Sequence, residues 1–314
     1  MNKKKQEQII SADMPATYAI ALLLWHELEI LTECESILQT QQDDEVLHNF
    51  RISIRRTRAL ISQAKSVLDK DQVQGFMEGF KWIGSFTTPV RDLDVLALKL
   101  DDYGQSTPEE YQKNLVIISD FLHQQRESAY ATLIKDIGSA RYHHLMRDWR
   151  HYLQAHLTED YAQLPGESIL AMANKKTWSV YNKVLREGRN ITDQSPATAL
   201  HDLRKTCKKL RYLIDFFSDL HPRKQVKKLI KILKKLQDYL GEFQDAEAHL
   251  HLLSEYRHHK ALGPAERISF LLIVELLIGE LHERETRLRS AFPDVFTLFD
   301  QEETHALFTT LYNP

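Results

Sequence analysis

The sequence predicts an all-α fold with little or no β-sheet. Only 10 Gly and 9 Pro occur among 314 residues, so residues that break helices are scarce. Apolar residues recur every three or four positions, and no useful length shows the period-2 alternation of a strand. Helices are therefore expected at about 15–41, 43–68, 71–102, 108–137, 139–158, 167–188, 197–220, 223–253 and 264–290, with a short one at the end.

The composition is that of a globular protein, with 43% hydrophobic and 27% charged residues. Cys34 and Cys207 are too few for a disulfide framework and suit a reducing compartment. No signal peptide or membrane-spanning run is recognisable, which favours a cytoplasmic protein with no membrane partner. The stretch QLPGES marks the best linker, so we expect one helical bundle over 1–162 and a second over 163–314.

An internal repeat appears when the sequence is shifted by 153 residues. HNFRISIRRTRALI (48–61) then aligns without a gap with HDLRKTCKKLRYLI (201–214). In the same register, VRDLDVL (90–96) aligns with FQDAEAH (243–249). Because one register holds over both matches, we interpret the chain as an internal duplication.

The repeated segment carries a row of cations on one side of a helix. His48, Arg51, Arg55 and Arg58 stand at i, i+3, i+7 and i+10, which places them on one face. The second copy repeats this face with His201, Arg204, Lys205, Lys208, Lys209, Arg211 and Tyr212. The next helix adds a row of lysines, namely Lys224, Lys228, Lys231 and Lys235. Such rows repel themselves by a few tenths of a kcal/mol per pair, so they predict a polyvalent anionic ligand.

The net charge of the chain, −3, conceals this local excess of positive charge. Residues 201–235 hold twelve Lys and Arg against three acids. A plainer interpretation is that the cations pair within the protein, and the aligned acids Asp92, Asp94, Asp245 and Glu247 are the obvious partners. Two matched copies favour the ligand over this alternative.

The compared residues resemble the CHAD family, whose two helical copies each carry a His-x-x-Arg-x-x-x-basic-basic-x-Arg helix and, on a later helix, Arg, Gln or His followed by Asp. Here the segments are HNFRISIRRTR with VRDLD, and HDLRKTCKKLR with FQDAE. The resemblance implies two four-helix bundles around a pseudo-twofold, with the basic helices facing a shared groove or pore. Copy two has Gln244 where copy one has Arg91, so the two sites are not expected to be identical.

The ligand that this resemblance implies is inorganic polyphosphate, with no catalysis, no cofactor and no metal. The binding residues it implies are His48, Arg51, Arg55, Arg56, Arg58, Arg91, His201, Arg204, Lys205, Lys208, Lys209, Arg211 and Tyr212. The four acids named above would orient these cations. A protein of this kind would be cytoplasmic and could be recruited to polyphosphate granules.

Two other functions remain open from the residues. RNA would bind the same basic surface through counterion release, although few aromatic residues accompany the cations for base stacking. The dipeptide His201-Asp202 is also found in metal-dependent phosphohydrolases, but copy one reads His48-Asn49 and rows of arginine would repel a divalent cation. We therefore expect binding rather than hydrolysis.

Overall fold

The computed structural model describes residues 10–64, 67–106, 115–157, 161, 164–192, 194–257 and 264–313. The first half of the chain forms α1 (Ala16–Leu38), α2 (Asp44–Ala64), α3 (Lys70–Ser106), α4 (Leu115–Ile137) and α5 (Ala140–His156). The second half forms α6 (Ile169–Arg189), α7 (Ala197–Phe216), α8 (Arg223–Tyr256), α9 (Pro264–Phe299) and α10 (Glu302–Tyr312), with a 3₁₀ turn at Ser218–Leu220. The predicted all-α fold is confirmed, and the described residues form no β-strand.

The helices pack in the same order in both halves. Successive helices α1 to α4 contact one another, and α5 packs back on α1. In the second half α6 to α9 do the same, and α10 packs back on α6. The boundary predicted between residues 162 and 163, and the predicted start of the fourth helix near 108, lie outside the described residues.

One predicted boundary is wrong, since α9 does not end near residue 290. It continues through Pro293 to Phe299. Proline inside a helix removes a backbone hydrogen bond and costs about 3 kcal/mol. The last turns nevertheless bury Phe292, Phe296 and Phe299, each at most 5% exposed. The burial of three aromatic rings offsets the loss at the proline and keeps the segment helical.

The two halves meet through corresponding helices, as a pseudo-twofold arrangement requires. Each of the pairs α1 with α6, α2 with α7, α3 with α8 and α4 with α9 is in contact. At the starts of α1 and α6 the backbone pairing is reciprocal. The Ala16 N–H donates to the Glu167 carbonyl at 3.0 Å, and the Ile169 N–H donates to the Met14 carbonyl at 2.8 Å. These two hydrogen bonds are related by the same shift of 153 residues as the sequence motifs.

The hydrophobic core is shared between the halves. One large cluster includes residues of both halves, such as Phe50 and Leu210, which are buried completely. A second cluster lies where the α3–α4 pair meets the α8–α9 pair. There the rings of Phe121 and Phe270 meet edge to face, with centroids 5.3 Å apart. The larger cluster therefore holds the two basic helices, α2 and α7, in contact with each other.

Removing the Phe270 ring should destabilise the protein through this second cluster. Phe270 is 2% exposed, so Phe270→Ala is expected to lower the free energy of unfolding by about 3–5 kcal/mol. Ile268, two residues earlier on the same helix, is 72% exposed, and Ile268→Ala should change it by less than about 0.5 kcal/mol. Urea unfolding of both variants measures this, and equal losses would contradict the assigned packing.

Candidate anion-binding site

The helices α2 and α7 are amphipathic, and this fixes where their cations point. The α2 residues Leu47, Phe50 and Ile54 are at most 1% exposed and face the core. On α7, Leu203, Cys207, Leu210 and Ile214 do the same, each buried completely. With one stripe anchored in the core, the neighbouring stripe of each helix carries its charged side chains towards the contact between the halves.

The first-half cleft has a volume of about 350 Å³ and is formed by α2, α3 and α4. Its lining residues are Asp44, Leu47, His48, Arg51, Arg91, Asp94, Ala97, Leu98 and Arg126. Arg51 is anchored by Nη1, which donates to the Thr87 hydroxyl at 2.9 Å. Arg126 donates from Nε to Asp94 at 2.6 Å and also pairs with Asp44. This cleft therefore brings cations of three helices together with two carboxylates.

The second-half cleft has a volume of about 460 Å³ and lies between α7 and α8. Its lining residues are Arg204, Lys208, Arg211, Tyr212, Gln237, Asp238, Gly241, Glu242 and Asp245. Arg204 donates from Nη1 to the Gln237 carbonyl at 3.3 Å. Arg211 donates from Nε to Asp215 on its own helix at 2.8 Å. Four predicted binding residues of copy two thus line one cleft.

Charges from the two halves act on each other where α2 meets α7. Burial, and then the charges of Arg204 and Arg55, lower the pKa of Lys208 to about 8. Burial also lowers the pKa of Arg204, against the attraction of Asp245, and Arg55 of the first half lowers it further. The cationic rows of the two copies therefore form one electrostatic unit.

Lowered pKa values show that the cations of the first half are crowded as well. Burial, followed by repulsion from Arg55, lowers the pKa of Arg51 to about 10, against the attraction of Asp92. Burial lowers the pKa of Arg58 as well. The Nε atoms of Arg51 and Arg58 are buried and have no hydrogen-bond partner among the described residues. Part of each of these guanidinium groups is therefore desolvated by the protein itself.

The predicted acidic partners lie among the cations. Burial raises the pKa of Asp92, although Arg51 and Arg91 oppose the shift, and the nearby Asp245 adds to it. Burial also raises the pKa of Glu247, and His201 opposes this shift. Asp245 lines the second-half cleft, and Asp94 lines the first. Part of the positive charge is therefore balanced inside the protein, as the plainer interpretation of the sequence anticipated.

The two aligned histidines differ in their surroundings. His48 lines the first-half cleft, and burial, followed by the charges of Arg91, Arg55 and Arg51, lowers its pKa. His201 instead contacts the amide oxygen of Gln244 through Nδ1. Gln244 stands where the first copy has Arg91. His201 therefore has a neutral amide beside it, whereas His48 has a cation. Only the first histidine faces its cleft among cations.

Several predicted binding residues lie outside the two clefts. Arg56 turns the other way: its Nε is 2.5 Å from Glu27, and its guanidinium stacks 4.6 Å above the ring of Phe216. Lys205 pairs with Asp202 on its own helix, and Lys228 pairs with Glu303 of α10. The remaining members of the lysine row are exposed on α8 without lining either cleft, namely Lys224, Lys231 and Lys235. Their part in binding stays a prediction.

Sequence reasoning missed some residues of the clefts. Arg126 lies on α4, outside the repeated motifs, and only packing brings it to Asp44 and Asp94. Gln237 and Gly241 of α8 carry no charge and gave no signal. Lys234 stands three residues before Gln237 and is exposed on α8, but it does not line the cleft.

Within the described part of the chain, no helix is long and apolar enough to cross a membrane. Across the same ranges, no three or more His, Cys, Asp and Glu residues are grouped so that they could hold a metal ion.

Comparison with known proteins identifies relatives of the whole fold. The model of the CHAD domain family matches residues 23–254. The crystal structure of the CHAD domain from the plant Ricinus communis matches with a TM-score of 0.77 and 20% identity, over 94% of this chain and 96% of that one. PptA from Streptomyces chartreusis matches with a TM-score of 0.67 and 14% identity, over 90% and 99%. No curated protein sequence matches the chain.

Replacing Arg56 should destabilise the protein, because the guanidinium of Arg56 neutralises the buried carboxylate of Glu27. The Glu27 side chain is 2% exposed, and Arg56→Leu leaves its charge buried with only the Ser53 hydroxyl beside it. The expected loss is about 3 kcal/mol in the free energy of unfolding, measured in urea. Adding Glu27→Gln to Arg56→Leu removes the unpaired charge and should recover part of that loss. A single variant as stable as the wild type would contradict a structural role for Arg56.

Proposed function

Because the chain belongs to the CHAD family, we propose that it binds inorganic polyphosphate, without converting it, at the cations that its two halves bring together. The observation that carries the proposal is that α2 contacts α7 and that the charge of Arg55, on α2, lowers the pKa of Arg204 and of Lys208 on α7. A ligand that neutralises both halves at once must carry several negative charges. A phosphate chain meets this requirement along its whole length.

The state of the cations supports a ligand rather than a purely internal role. Lys208 and Arg51 are half-buried among like charges, and burial together with those charges lowers the pKa of both. Repulsion between desolvated cations costs free energy. Phosphate oxygens accept hydrogen bonds from Arg and Lys strongly, so a polyphosphate chain relieves this repulsion.

The lining of the clefts favours polyphosphate over RNA. Proteins that bind single-stranded nucleic acid place aromatic rings where bases can stack. Among the described residues that line the two clefts, Tyr212 is the one aromatic side chain. A phosphate chain has no bases, so charge and hydrogen bonding are sufficient to bind it. RNA remains the rival that the binding experiment must test.

The proposed role involves no chemical step. Asp94 holds Arg126, and Asp245 stands among the cations of the second-half cleft, so these acids position cationic groups. In this proposal, binding serves to recruit the protein to polyphosphate, including polyphosphate granules where a cell holds them. Neutral residues such as Gln237 then contribute shape and further hydrogen bonds.

Removing one arginine from each half should abolish tight binding to polyphosphate. Arg51 and Arg204 are aligned residues that line the two clefts. In the double variant Arg51→Gln/Arg204→Gln, two charge-assisted contacts are lost, and the Kd for long-chain polyphosphate should rise at least about a hundredfold. Calorimetric titration with long-chain polyphosphate, single-stranded RNA and orthophosphate, each at two salt concentrations, measures this.

The matched control is Lys135→Gln/Lys183→Gln. It removes the same net charge at two cations that line neither cleft, and it should bind like the wild type. Circular dichroism verifies that both double variants remain helical. Equal losses in both would mean that net charge alone governs binding. Equal affinity of the wild type for RNA and polyphosphate at the higher salt would assign the surface to nucleic acid.

Binding should weaken as the pH rises above 8, because of Lys208. In the free protein burial, Arg204 and Arg55 hold the pKa of Lys208 at about 8, while Asp245 opposes them. A bound polyanion favours the charged amine and raises that pKa. Binding therefore takes up a proton above pH 8, and the Kd should increase about tenfold between pH 7 and pH 9.

Lys208→Arg isolates this effect, since arginine stays charged over the whole range. Its Kd should be nearly independent of pH from 7 to 9. Lys205→Arg, at an exposed position on the same helix, leaves Lys208 in place and should keep the dependence of the wild type. Burial and the charges of Arg91 and Arg55 lower the pKa of His48, so in the free protein His48 titrates below this range. A dependence that persists unchanged in Lys208→Arg would exclude Lys208 as its source.

A further inference from the structure

A glycine of α8 lies directly beneath the guanidinium of Arg204. Gly241 is buried and lines the second-half cleft. A Cβ atom built on it would stand 2.7 Å from Nη1 of Arg204 and 3.6 Å from its Cζ. Carbon and nitrogen atoms do not approach so closely without a bond or a hydrogen bond. Any side chain at residue 241 would therefore displace the guanidinium.

A side chain at residue 241 would break the hydrogen bond that anchors Arg204. Nη1 donates to the carbonyl of Gln237, which lies one helical turn before residue 241. In an α-helix each Cα–Cβ bond tilts towards the N-terminus, so a side chain at 241 would project over that carbonyl. The absence of a side chain at 241 is therefore what lets the guanidinium lie across α8 at the floor of the cleft.

In the first half, the arginines of the repeated motif are positioned by different residues. Residue 88, aligned with Gly241, is a threonine, and Nη1 of Arg51 approaches its hydroxyl at 3.4 Å and that of Thr87 at 2.9 Å. The first half has its own glycine one turn earlier, Gly84, where a built Cβ would stand 3.2 Å from Nη1 of Arg58. Each half thus supports an arginine on a glycine, at positions that the repeat does not match.

We infer that Gly241 is a positioning residue of the anion site, which keeps the guanidinium of Arg204 turned into the second-half cleft so that it reaches the phosphate oxygens of the ligand. The inference rests on the proposed polyphosphate binding. It adds that an uncharged residue with no side chain determines how one cation of this site is presented. The helix itself gains nothing from glycine, because alanine is the better helix former at this place.

The test compares Gly241→Ala with Gly75→Ala and Gly279→Ala. The two control glycines are helical and exposed, and a Cβ built on either meets nothing within 4 Å. All three variants should retain or exceed the urea resistance of the wild type. In Gly241→Ala alone, the Kd for long-chain polyphosphate should rise at least about tenfold, the loss expected for one charge-assisted hydrogen bond. The slope of log Kd against log salt should fall by about one in the same variant.

A double-variant cycle separates the effect on Arg204 from a general disturbance of the helix. In an Arg204→Gln background the shorter side chain frees the space above residue 241, so adding Gly241→Ala should cause no further loss of affinity. This background also keeps the test valid if Gly241→Ala alone unfolds. A further loss as large as in the wild type would overturn the inference, and so would a Gly241→Ala protein that binds like the wild type.

Chemical modification gives a readout that needs no ligand. The rate at which phenylglyoxal modifies Arg204, followed by mass spectrometry, should rise in Gly241→Ala and stay unchanged in Gly75→Ala. A wild-type protein that binds no polyphosphate would refute the proposed function, while a raised rate would still support the positioning of Arg204 by Gly241. An unchanged rate would refute the positioning even if polyphosphate binds.

Discussion

The repulsion between cations of the two halves is the constraint around which the structure is organised. Arg55 on α2 acts on Arg204 and Lys208 on α7, and burial removes the water that would screen them. Electrostatic repulsion alone would separate these charges. They stay together because the opposite stripes of both helices are fixed in a core that spans the halves, and because Asp245 attracts Arg204 and Lys208. The apolar core thus maintains an arrangement of charges that is electrostatically unfavourable in the free protein.

Helix α2 both joins the two halves and contributes to the charge that repels them, as the ion pair between Arg56 and Glu27 shows. Arg56 follows Arg55 directly, yet its guanidinium turns to a buried carboxylate of α1 and stacks on Phe216 of the second half. One arginine therefore joins the halves, while its neighbour contributes to the charge that repels them. The difference follows from helix geometry, since adjacent residues point about 100° apart.

The sequence predicted those features that depend on local periodicity and missed those that depend on packing. The rows beginning at His48 and His201 could be read because helical spacing fixes which side chains share a face. Arg126 could not, since its approach to Asp94 requires the contact between α3 and α4. Gly241 could not either, because a glycine in a helix gives no sign of the side chain above it. The predicted end of α9 near residue 290 was wrong for the same reason, since the burial of three phenylalanines beyond it depends on packing.

The reciprocal hydrogen bonds at the starts of α1 and α6 have a consequence for assembly. Ala16 pairs with Glu167, and Ile169 pairs with Met14, so each half offers the other the same two groups. An interface of this form is isologous, and two separate identical halves could join through it as a symmetric dimer. Within a single chain the partner is tethered, so its effective concentration does not depend on how much protein is present. The composite cationic surface therefore survives dilution, which a dimer of halves would not.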